Sequence, residues 1–393
     1  MSSLGTLLAA AALGYAVVAW VAVRLWRNNG AGQRQAGSGA ASRLHAAPVT
    51  ILKPLCGAEP GLDHSLRSFC TQDYAGEMQI VFGVQSPADP ALAVLEELKR
   101  DYPRVDLTVV VDATRHGASA KVSNLINMMR AARHDWLVLA DSDVRVPPGY
   151  LTAVTAPLAD PTVGIVTCPY RGVPRPGLWS LFGSIFINDW FIPSVRVAAL
   201  FGSRAFAFGA TIALRRNALD AIGGFHAIAD QLADDYRLGE LTRRRGLRTV
   251  LSDVVVDTAV DERTFHQLAQ HGLRWLRTIR VVRPGGYASS AVTFSLPVAV
   301  LGCALAGGAP ITLYLLAATV ALRLMLHLTA QVPAHGPGPT GSAQARSWSQ
   351  LWAIPIADAL GFVLWCGAFV TREVQWRQGR YRVARDGSVQ PIS

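Results

Sequence analysis

The stretch Trp136-Leu137-Val138-Leu139-Ala140-Asp141-Ser142-Asp143 places two carboxylates directly after a run of apolar residues. A short apolar run that ends in polar residues predicts a buried strand, with both aspartates at its carboxyl end. Ligands of parallel α/β sheets bind at this end of the strands. Carboxylate oxygens suit Mg²⁺ or Mn²⁺, so Asp141 and Asp143 are candidate ligands of a divalent cation beside a diphosphate-bearing substrate. The alternative is an Asx turn that only caps the strand.

Apolar runs alternate with helical patterns on both sides of this strand. The alternation predicts an α/β fold in which helices cover both faces of a mostly parallel sheet. We assign residues 48–262 to this domain. The predicted strands are Val49–Leu52, Gln79–Val84, Leu107–Val111, Trp136–Ala140, Gly164–Thr167 and Thr249–Leu251. The predicted helices are Ser65–Thr71, Pro90–Tyr102, Ala120–Ala132 and Pro148–Ala156.

An apolar segment precedes the α/β domain. Residues Leu4–Leu25 are long enough to cross a bilayer, and Arg24, Arg27 and Arg34 follow with no Lys or Arg ahead. By the positive-inside rule, residues 1–27 are a transmembrane anchor and the α/β domain faces the cytoplasm. A cleaved signal peptide is the alternative. Residues 28–47, rich in Gly, Ala, Ser and Gln, predict a flexible linker.

Three further apolar segments lie within residues 288–371, before a basic tail of residues 372–393. They are Ala291–Gly307, Ile311–Leu328 and, after the polar loop Pro333–Ser349, Trp352–Phe369. Three full spans would place the basic tail outside, against its charge, so we expect two to three transmembrane helices, with one of the three segments re-entrant if only two of them span. Trp352–Phe369 is our candidate for the re-entrant segment, because it contains Pro355 and Asp358.

The composition agrees with a soluble domain that is flanked by membrane segments. Hydrophobic residues make up 51% of the chain and charged residues 16%, with a net charge of +10. The arginines collect beside apolar stretches, which favours anionic lipid headgroups over nucleic acid as their partner. The five cysteines form no CxxC pair, so a reducing compartment is the simpler interpretation.

Two more motifs carry chemistry. Ala233-Asp234-Asp235-Tyr236-Arg237 precedes the helical run Leu238–Arg244, and a carboxylate there suits a general base acting on a hydroxyl group. We expect Asp234 to cap the helix and Asp235 to act as the base. His271-Gly272-Leu273-Arg274-Trp275 lies in residues 263–287, which predict an interfacial amphipathic segment. Arg274 beside Trp275 suits a pyrophosphate group.

Residues Leu178–Phe208 are rich in aromatic side chains but contain Asn188, Asp189 and Pro193. A full span is therefore improbable, and we predict an interfacial helix pair that lets a lipid reach the active site. Buried core is the alternative. The candidate acceptor-side residues are Trp179, Phe186, Trp190 and Phe191.

Together the motifs resemble a known enzyme family. Ala88-Asp89-Pro90-Ala91, the paired Asp141 and Asp143, the Asp235 motif and HxxRW follow the order found in the inverting family 21 and family 2-like glycosyltransferases that include ceramide glucosyltransferase. His271 departs from the Gln or Arg of the ceramide enzymes, which also have Gly where Asp143 stands. Longer stretches are similar to bacterial hopanoid-biosynthesis-associated glycosyltransferases: Leu52–Leu62, Lys121–Asn127, Phe186–Phe191 and Gly202–Thr211.

The resemblance implies a GT-A-type fold and a UDP-sugar-dependent hexosyltransferase of the bacterial inner membrane that needs Mg²⁺ or Mn²⁺. It implies transfer of N-acetylglucosamine from its UDP donor to a membrane lipid, a polyol hopanoid such as bacteriohopanetetrol. By motif matching, Asp235 is the catalytic base, Asp141 faces the sugar or ribose, and Asp143 holds the metal. The implied donor-binding residues are Pro54, Glu59, Asp89, Lys121, Asp141, His271, Arg274 and Trp275.

Simpler roles remain open for three of these donor residues: a helix cap for Asp89, a solvated loop position for Glu59 and a surface lysine for Lys121. Two alternatives to the whole function also stay open. One is a ceramide glucosyltransferase that uses UDP-glucose, and the other is an inactive lipid-binding scaffold.

Overall fold

The computed structural model describes residues 2–36, 46–330, 348–371, 373–376, 379–384 and 387–391. The chain forms two compact units. We call Gln33–Tyr170 with Ser203–Ala259 the sheet unit. Met1–Gly32, Arg171–Gly202 and Val260–Ser393 make the helical unit.

The strands are β1 Val49–Pro54, β2 Met78–Val84, β3 Asp106–Val111, β4 Trp136–Ala140, β5 Val144–Arg145, β6 Val163–Thr167, β7 Tyr170–Pro174, β8 Thr211–Arg215, β9 Arg248–Leu251, β10 Val256–Val260, β11 Glu373–Trp376, β12 Gly379–Val383 and β13 Val389–Pro391. The helices are α1 Ser2–Ala36, α2 Leu62–Cys70, α3 Ala91–Asp101, α4 Ala120–Met128, α5 Tyr150–Thr155, α6 Leu178–Ile185, α7 Ile192–Leu200, α8 Arg216–Asp220, α9 Asp234–Arg244, α10 Phe265–Val282, α11 Pro284–Ser289, α12 Ser295–Leu305, α13 Pro310–Ala330 and α14 Ala353–Gly367. Three short 3₁₀ turns in the described part are Ala156–Ala159, Phe225–Ile228 and Ser290–Thr293.

The sheet unit is built on a seven-stranded sheet in the order β3-β2-β1-β4-β8-β6-β9. Strands β1 to β4 are parallel to one another, with Ile51 of β1 between Ile80 and Val138. Strand β9 is parallel to β6, and only β8 runs antiparallel to its neighbours. The predicted α/β architecture with a mostly parallel sheet is therefore confirmed. All six predicted strands are present, with ends shifted by at most two residues.

Side chains alternate between two cores, one on each face of the sheet. Ile51 and Phe82 pack on one face with residues of α2, α3 and α5. Leu52 and Val81 pack on the other face with residues of α4 and α9. Burial on both faces is why these strands read as nearly continuous apolar runs in the sequence. It also confirms that helices cover both faces.

The helical unit contains the apolar segments. Among the described residues, two helices are long and apolar enough to cross a membrane, Ser3–Asn28 and Pro310–Ala330, with mean hydropathies of 2.1 and 1.8. A third candidate is the pair Pro284–Thr293 and Ser295–Leu305, which is bent by 74°. The bend thus falls in the first C-terminal segment and not in Trp352–Phe369, where we expected re-entry. That last segment forms the single helix α14, whose 15 residues are fewer than the roughly 20 that a span needs.

Three other expectations concern the flanking regions. The predicted linker of residues 28–47 begins too early, because α1 continues to Ala36, while residues 37–45 lie outside the described part. Most of the polar loop Pro333–Ser349, residues 333–347, lies outside it as well. The basic tail contains an antiparallel three-stranded sheet, β11-β12-β13, which charge alone did not reveal.

The predicted helix pair in Leu178–Phe208 is one helical stretch. A π-helical turn, Phe186–Phe191, joins α6 to α7, so Asn188 and Asp189 do not break the helix. Asn188 exchanges hydrogen bonds of 2.9 Å with both backbone groups of Gly172. Asp189 bonds to His327 of α13 at 2.8 Å. Both polar groups of the Asn188 side chain and one carboxylate oxygen of Asp189 therefore have internal partners, which makes these residues compatible with a buried helix.

A second buried polar pair in this unit yields a stability prediction. Arg323 of α13 donates two hydrogen bonds, of 2.8 and 2.7 Å, to the carboxylate of Asp358 in α14. Arg323→Met leaves a buried carboxylate without its cation, which costs about 3 kcal/mol or more. We expect a clear fall in the melting temperature in detergent, monitored by tryptophan fluorescence, and recovery in the double variant that adds Asp358→Leu. A double variant no more stable than Arg323→Met would contradict the pairing.

Candidate active site

The Asp141-Ser142-Asp143 turn follows β4, and side chains from two other elements hold its carboxylates. Lys121 of α4 places its Nζ 2.6 Å from Asp141 Oδ1. Thr258 of β10 donates its hydroxyl hydrogen bond to Asp143 Oδ2. The antiparallel pairing of β10 with β5, in which Thr258 faces Val144, sets this contact. Both carboxylates are thus fixed by side chains distant in sequence, which argues against a purely local Asx turn.

Lys121 links two of the predicted motifs. Its Nζ also lies 3.5 Å from Asp234 Oδ2, at the start of α9. Burial alone would lower the pKa of Lys121, but the carboxylates of Asp141 and Asp234 outweigh it and raise the pKa. The lysine therefore stays charged between the two acidic motifs. Its side chain is 24% exposed, so it is not the ordinary surface lysine of the alternative interpretation.

Asp235 stands at the same place, fixed by the backbone. Its Oδ2 accepts the Gly209 N–H at 2.8 Å and its Oδ1 accepts the Tyr236 N–H at 2.7 Å. Burial first, and then the charge of Asp234, raise the pKa of Asp235 to about 6. The prediction that Asp234 caps α9 is wrong, because the capping position is Ala233, which offers no side-chain bond.

Gly209 marks the point on which these groups converge. A Cβ atom at this position would lie 3.2 Å from Asp235 Oδ2, 3.5 Å from Lys121 Nζ and 3.6 Å from Asp141 Oδ2. Any side chain here would therefore press into the charged cluster. We call Asp141, Asp234, Asp235 and Lys121, grouped around Gly209, the carboxylate cluster.

Sequence reasoning missed Lys53, the last but one residue of β1. Its side chain is fully buried, its Nζ donates a 2.5 Å hydrogen bond to the Asp141 backbone carbonyl, and it lies 4.0 Å from the centre of the Phe69 ring. Burial lowers the pKa of Lys53 to about 7, although the nearby charges of Asp143 and Asp141 oppose the shift. The signal in the sequence was a lysine on the same strand face as Val49 and Ile51, where a core residue is expected.

Three predicted donor-binding residues lie in the loops beside this cluster. Pro54 ends β1, and Glu59 is an exposed loop residue whose carboxylate accepts a 3.3 Å bond from Ser142. Asp89 accepts the Gly57 N–H at 3.0 and 3.1 Å and the Ala91 N–H at 2.9 Å. It therefore ties the loop after β1 to the first turn of α3, whose capping position is Pro90. Contact with a nucleoside remains a prediction for all three.

The donor set around Asp143 fits a divalent cation whose remaining ligands come from a diphosphate. No group of three or more His, Cys, Asp or Glu side chains that could hold a metal occurs in the described ranges. Mg²⁺ commonly takes only one or two carboxylates from the protein and the rest from phosphates and water. Burial and then the like charge of Asp141 raise the pKa of Asp143, and a cation would relieve this repulsion.

The HxxRW residues lie in the helical unit, on α10. His271 Nδ1 is 2.6 Å from Glu262 Oε1, and the rings of His271 and Trp275 meet edge to face at 5.0 Å. Trp275 also contacts Phe186 and Phe191, with ring centres 6.5 and 6.4 Å apart. No motif or pattern in the sequence singles out Glu262. The donor-binding role predicted for His271, Arg274 and Trp275 stays a prediction.

The candidate acceptor residues lie in two groups of aromatic side chains in the helical unit. Phe186 stacks on Trp190 at 4.6 Å, and Trp190 stacks on Phe294 at 5.3 Å. The indole N–H of Trp190 donates to Thr293 at 2.8 Å. Trp179 contacts Phe182 and Phe265 at 5.9 and 5.4 Å. Of the four candidates, Phe186 lines an apolar cavity between α6, the π-helical turn, α10 and α14, whereas Trp179, Trp190 and Phe191 are not among its lining residues.

Comparison with known proteins matches the chain to glycosyl transferases. A family model described as glycosyl transferase family 21 matches residues 5–389. Ceramide glucosyltransferase 1 of Caenorhabditis elegans is 27% identical over 206 residues, which are 52% of this chain and 44% of that protein. Ceramide glucosyltransferase of Komagataella phaffii is 35% identical over 108 residues, 26% of this chain and 21% of that protein. The chain therefore spans less than half the length of these curated relatives.

Solved structures give matches at low sequence identity. The mannosyltransferase PcManGT from Pyrobaculum calidifontis, in complex with GDP-Man and Mn²⁺, is 22% identical with a TM-score of 0.46, over 91% of this chain and 99% of that one. Glucosyl-3-phosphoglycerate synthase from Mycobacterium tuberculosis, in complex with Mn²⁺, UDP and its product, is 14% identical with a TM-score of 0.36. That match covers 60% of this chain and 81% of that one.

Proposed function

Because the chain belongs to glycosyl transferase family 21, we propose that it transfers a sugar from a UDP-sugar donor to a hydroxyl group of a membrane lipid. The observation that carries the proposal is the carboxylate cluster at the carboxyl end of β4. It combines a fixed base candidate, Asp235, with Asp141, which Lys121 links to Asp234, and Asp143 stands beside it, bonded to Thr258. The candidate membrane helices support a lipid as the acceptor.

The proposed reaction is a single displacement. The Asp235 carboxylate takes the proton of the acceptor hydroxyl as its oxygen attacks the anomeric carbon from the face opposite UDP. The bond from that carbon to the diphosphate oxygen breaks, and UDP departs with the electron pair. One displacement inverts the anomeric centre, so an α-linked donor gives a β-glycoside. Lys121 stays positive between Asp141 and Asp234 and keeps the cluster compact.

We assign Asp143, with Asp141 beside it, to a divalent cation, Mg²⁺ or Mn²⁺. When bound, that ion offsets the negative charge of the diphosphate. Thr258 holds the Asp143 carboxylate, and the hydrogen bond from Lys53 to the Asp141 backbone carbonyl fixes the turn.

The finer proposal names N-acetylglucosamine as the sugar, a polyol hopanoid such as bacteriohopanetetrol as the acceptor, and the bacterial inner membrane as the location. It is supported by the sequence stretches similar to the hopanoid-associated enzymes. The second candidate is a ceramide glucosyltransferase that uses UDP-glucose, which the names of the curated relatives favour.

In the deciding experiment, purified protein in lipid nanodiscs is incubated with UDP-glucose or UDP-N-acetylglucosamine. Each donor is combined with ceramide or with bacteriohopanetetrol. Mass spectrometry then identifies the products, with Asp235→Asn as the control protein. We expect N-acetylglucosaminyl bacteriohopanetetrol. Glucosylceramide would establish the second candidate instead. Release of UDP in none of the four combinations would refute sugar transfer and favour a lipid-binding scaffold.

The raised pKa of Asp235 predicts a specific dependence on pH. A carboxylic acid with a pKa of about 6 is a base only above that pH, so activity is present at higher pH and falls as the pH drops through 6. At pH 5 we expect about one tenth of the plateau kcat/KM. Initial rates between pH 5 and 8 measure the midpoint. Asp234→Asn should move the midpoint down, because it removes the like charge; a wild-type midpoint near 4 would contradict the assignment.

A further inference from the structure

A cavity in the helical unit lies between α6, the π-helical turn, α10 and α14. It contains about 470 Å³ of empty space, part of which is open to the outside. Its walls are almost entirely apolar. They are formed by Phe182, Gly183, Phe186, Ile187, Leu268, Gly272, Trp275, Ala357, Leu360, Gly361 and Leu364, with Glu262 and His271 as the polar members.

Glu262 brings a hydrogen-bond acceptor into this apolar space. Its side chain is only 10% exposed, and its Oε1 is paired with His271 Nδ1 at 2.6 Å. Its Oε2 is buried and has no hydrogen-bond partner among the residues that the structure describes. A buried carboxylate oxygen without a donor costs free energy, so such an atom in a cavity marks a place for a ligand's donor group.

Two glycines allow close packing at this oxygen and at α14. A Cβ atom at Gly183 would lie 2.9 Å from Glu262 Oε2, and one at Gly272 would lie 2.9 Å from Leu364 Cδ1. Both positions line the cavity, and a larger residue at either would narrow it. The cavity therefore depends on small residues at two of its walls.

We infer that this cavity binds the apolar body of a neutral, hydroxyl-bearing membrane lipid, whose hydroxyl donates a hydrogen bond to Glu262 Oε2. The inference rests on the proposed function and names the binding site of its acceptor. It also assigns His271 to this lipid, through Glu262, in place of the nucleotide.

Three observations select this kind of ligand. The walls are apolar and belong to the unit that contains the candidate membrane helices. The free polar atom is an acceptor, which a hydroxyl group satisfies. A phospholipid headgroup would bring its negative phosphate to the Glu262 carboxylate, and the two like charges would repel each other. A ceramide and a hopanoid polyol both meet these requirements.

The test uses a ceramide that carries a diazirine in its acyl chain, with the Asp235→Asn protein in nanodiscs so that no turnover occurs. After irradiation, mass spectrometry locates the labelled peptides. We expect labels in residues 182–187, 268–275 and 357–364, and loss of labelling when unlabelled ceramide or bacteriohopanetetrol competes. The stronger competitor identifies the lipid class. Labels spread over α1 and α13, or failure of both competitors, would overturn the inference.

A matched pair of variants on α14 tests the position. Ala357→Phe fills the cavity, whereas Val363→Phe places the same ring on a residue that is 64% exposed and outside the lining. Labelling should fall at least about fivefold in the first variant and stay unchanged in the second, with UDP binding intact in both. Equal labelling of the two would refute the site.

The hydrogen bond has its own test. Glu262→Met keeps a side chain of similar length without the acceptor, and a ceramide whose primary hydroxyl is methylated lacks the donor. Each change alone should raise the concentration of lipid at half-saturation by about tenfold, and both together should add little to either one. If the two changes act independently, so that their effects on the half-saturating lipid concentration multiply, the contact to Glu262 is overturned. Since these assays measure binding in an inactive protein, they can fail while sugar transfer by the wild type succeeds, and the reverse.

Discussion

Asp235→Asn is expected to lower kcat for sugar transfer by a factor of about 10² to 10⁴ and to leave the affinity for UDP nearly unchanged. The asparagine has the size of the aspartate but cannot take the proton of the acceptor hydroxyl. The expected loss is confined to turnover because Asp141 and Lys121, on β4 and α4, keep their contact. Single-turnover rates with saturating donor and lipid measure it, and isothermal titration with UDP gives the affinity.

The stability of this variant must be measured in parallel. Both oxygens of Asp235 accept backbone N–H groups, from Gly209 and Tyr236. In asparagine, the amide nitrogen replaces one of these oxygens and faces a backbone N–H donor, so one of the two hydrogen bonds is lost. The lost bond costs about 1 kcal/mol, which is too little to abolish folding. Glu240→Gln, in the same helix on its ion-paired outer side, is the matched control and should keep wild-type turnover. Asp235→Asn with near-normal kcat would remove Asp235 as the base.

The parallel core of the sheet could be predicted because each strand is buried on both faces. A strand buried in this way has a nearly unbroken apolar sequence, as in Trp136–Ala140. Strand β8, Thr211–Arg215, was missed, since it is short, ends in a charged residue and follows an aromatic stretch that suggested contact with lipid. Only its pairing with β4 and β6 identifies it, and pairing is not a local property.

Some residues of the candidate site could be predicted from the sequence and others could not. The aspartates stood out because acidic residues directly after a buried strand are visible in the sequence. Thr258 and Lys53 did not stand out, because their importance depends on contacts with residues more than 80 positions away along the chain. Glu262 was missed for the same kind of reason: only the folded unit shows that one of its oxygens is buried without a donor.

The helical unit shows how internal pairing overrides local signals. Asn188 and Asp189 are poor residues for an apolar helix, so the sequence predicted a break there. The fold instead gives Asn188 the backbone of Gly172 and gives Asp189 the imidazole of His327. A π-helical turn admits these contacts without ending the helix. Pairs so far apart in sequence cannot be found by periodicity.

Asp143→Asn is expected to lower the affinity for UDP in the presence of Mn²⁺ by at least about 100-fold and to remove the dependence of UDP binding on the metal. The Asp143 carboxylate is the proposed direct ligand of the cation, and the asparagine amide carries no charge. Thr258→Val, which removes only the hydroxyl that holds Asp143, should weaken binding by about tenfold. Titrations of UDP with Mn²⁺, and again after chelation with EDTA, measure both effects.

The sign of the pH effect distinguishes a metal from a simple ion pair. Because burial and Asp141 raise the pKa of Asp143, protons compete with the cation as the pH falls, so metal-dependent UDP binding should weaken at low pH. Asp160→Asn is the matched control, since Asp160 is paired with Arg248 away from the carboxylate cluster. UDP binding that is equally tight with EDTA, or equally reduced in both aspartate variants, would exclude a metal at Asp143. The carboxylate cluster would then have to rely on Lys121 as its cation.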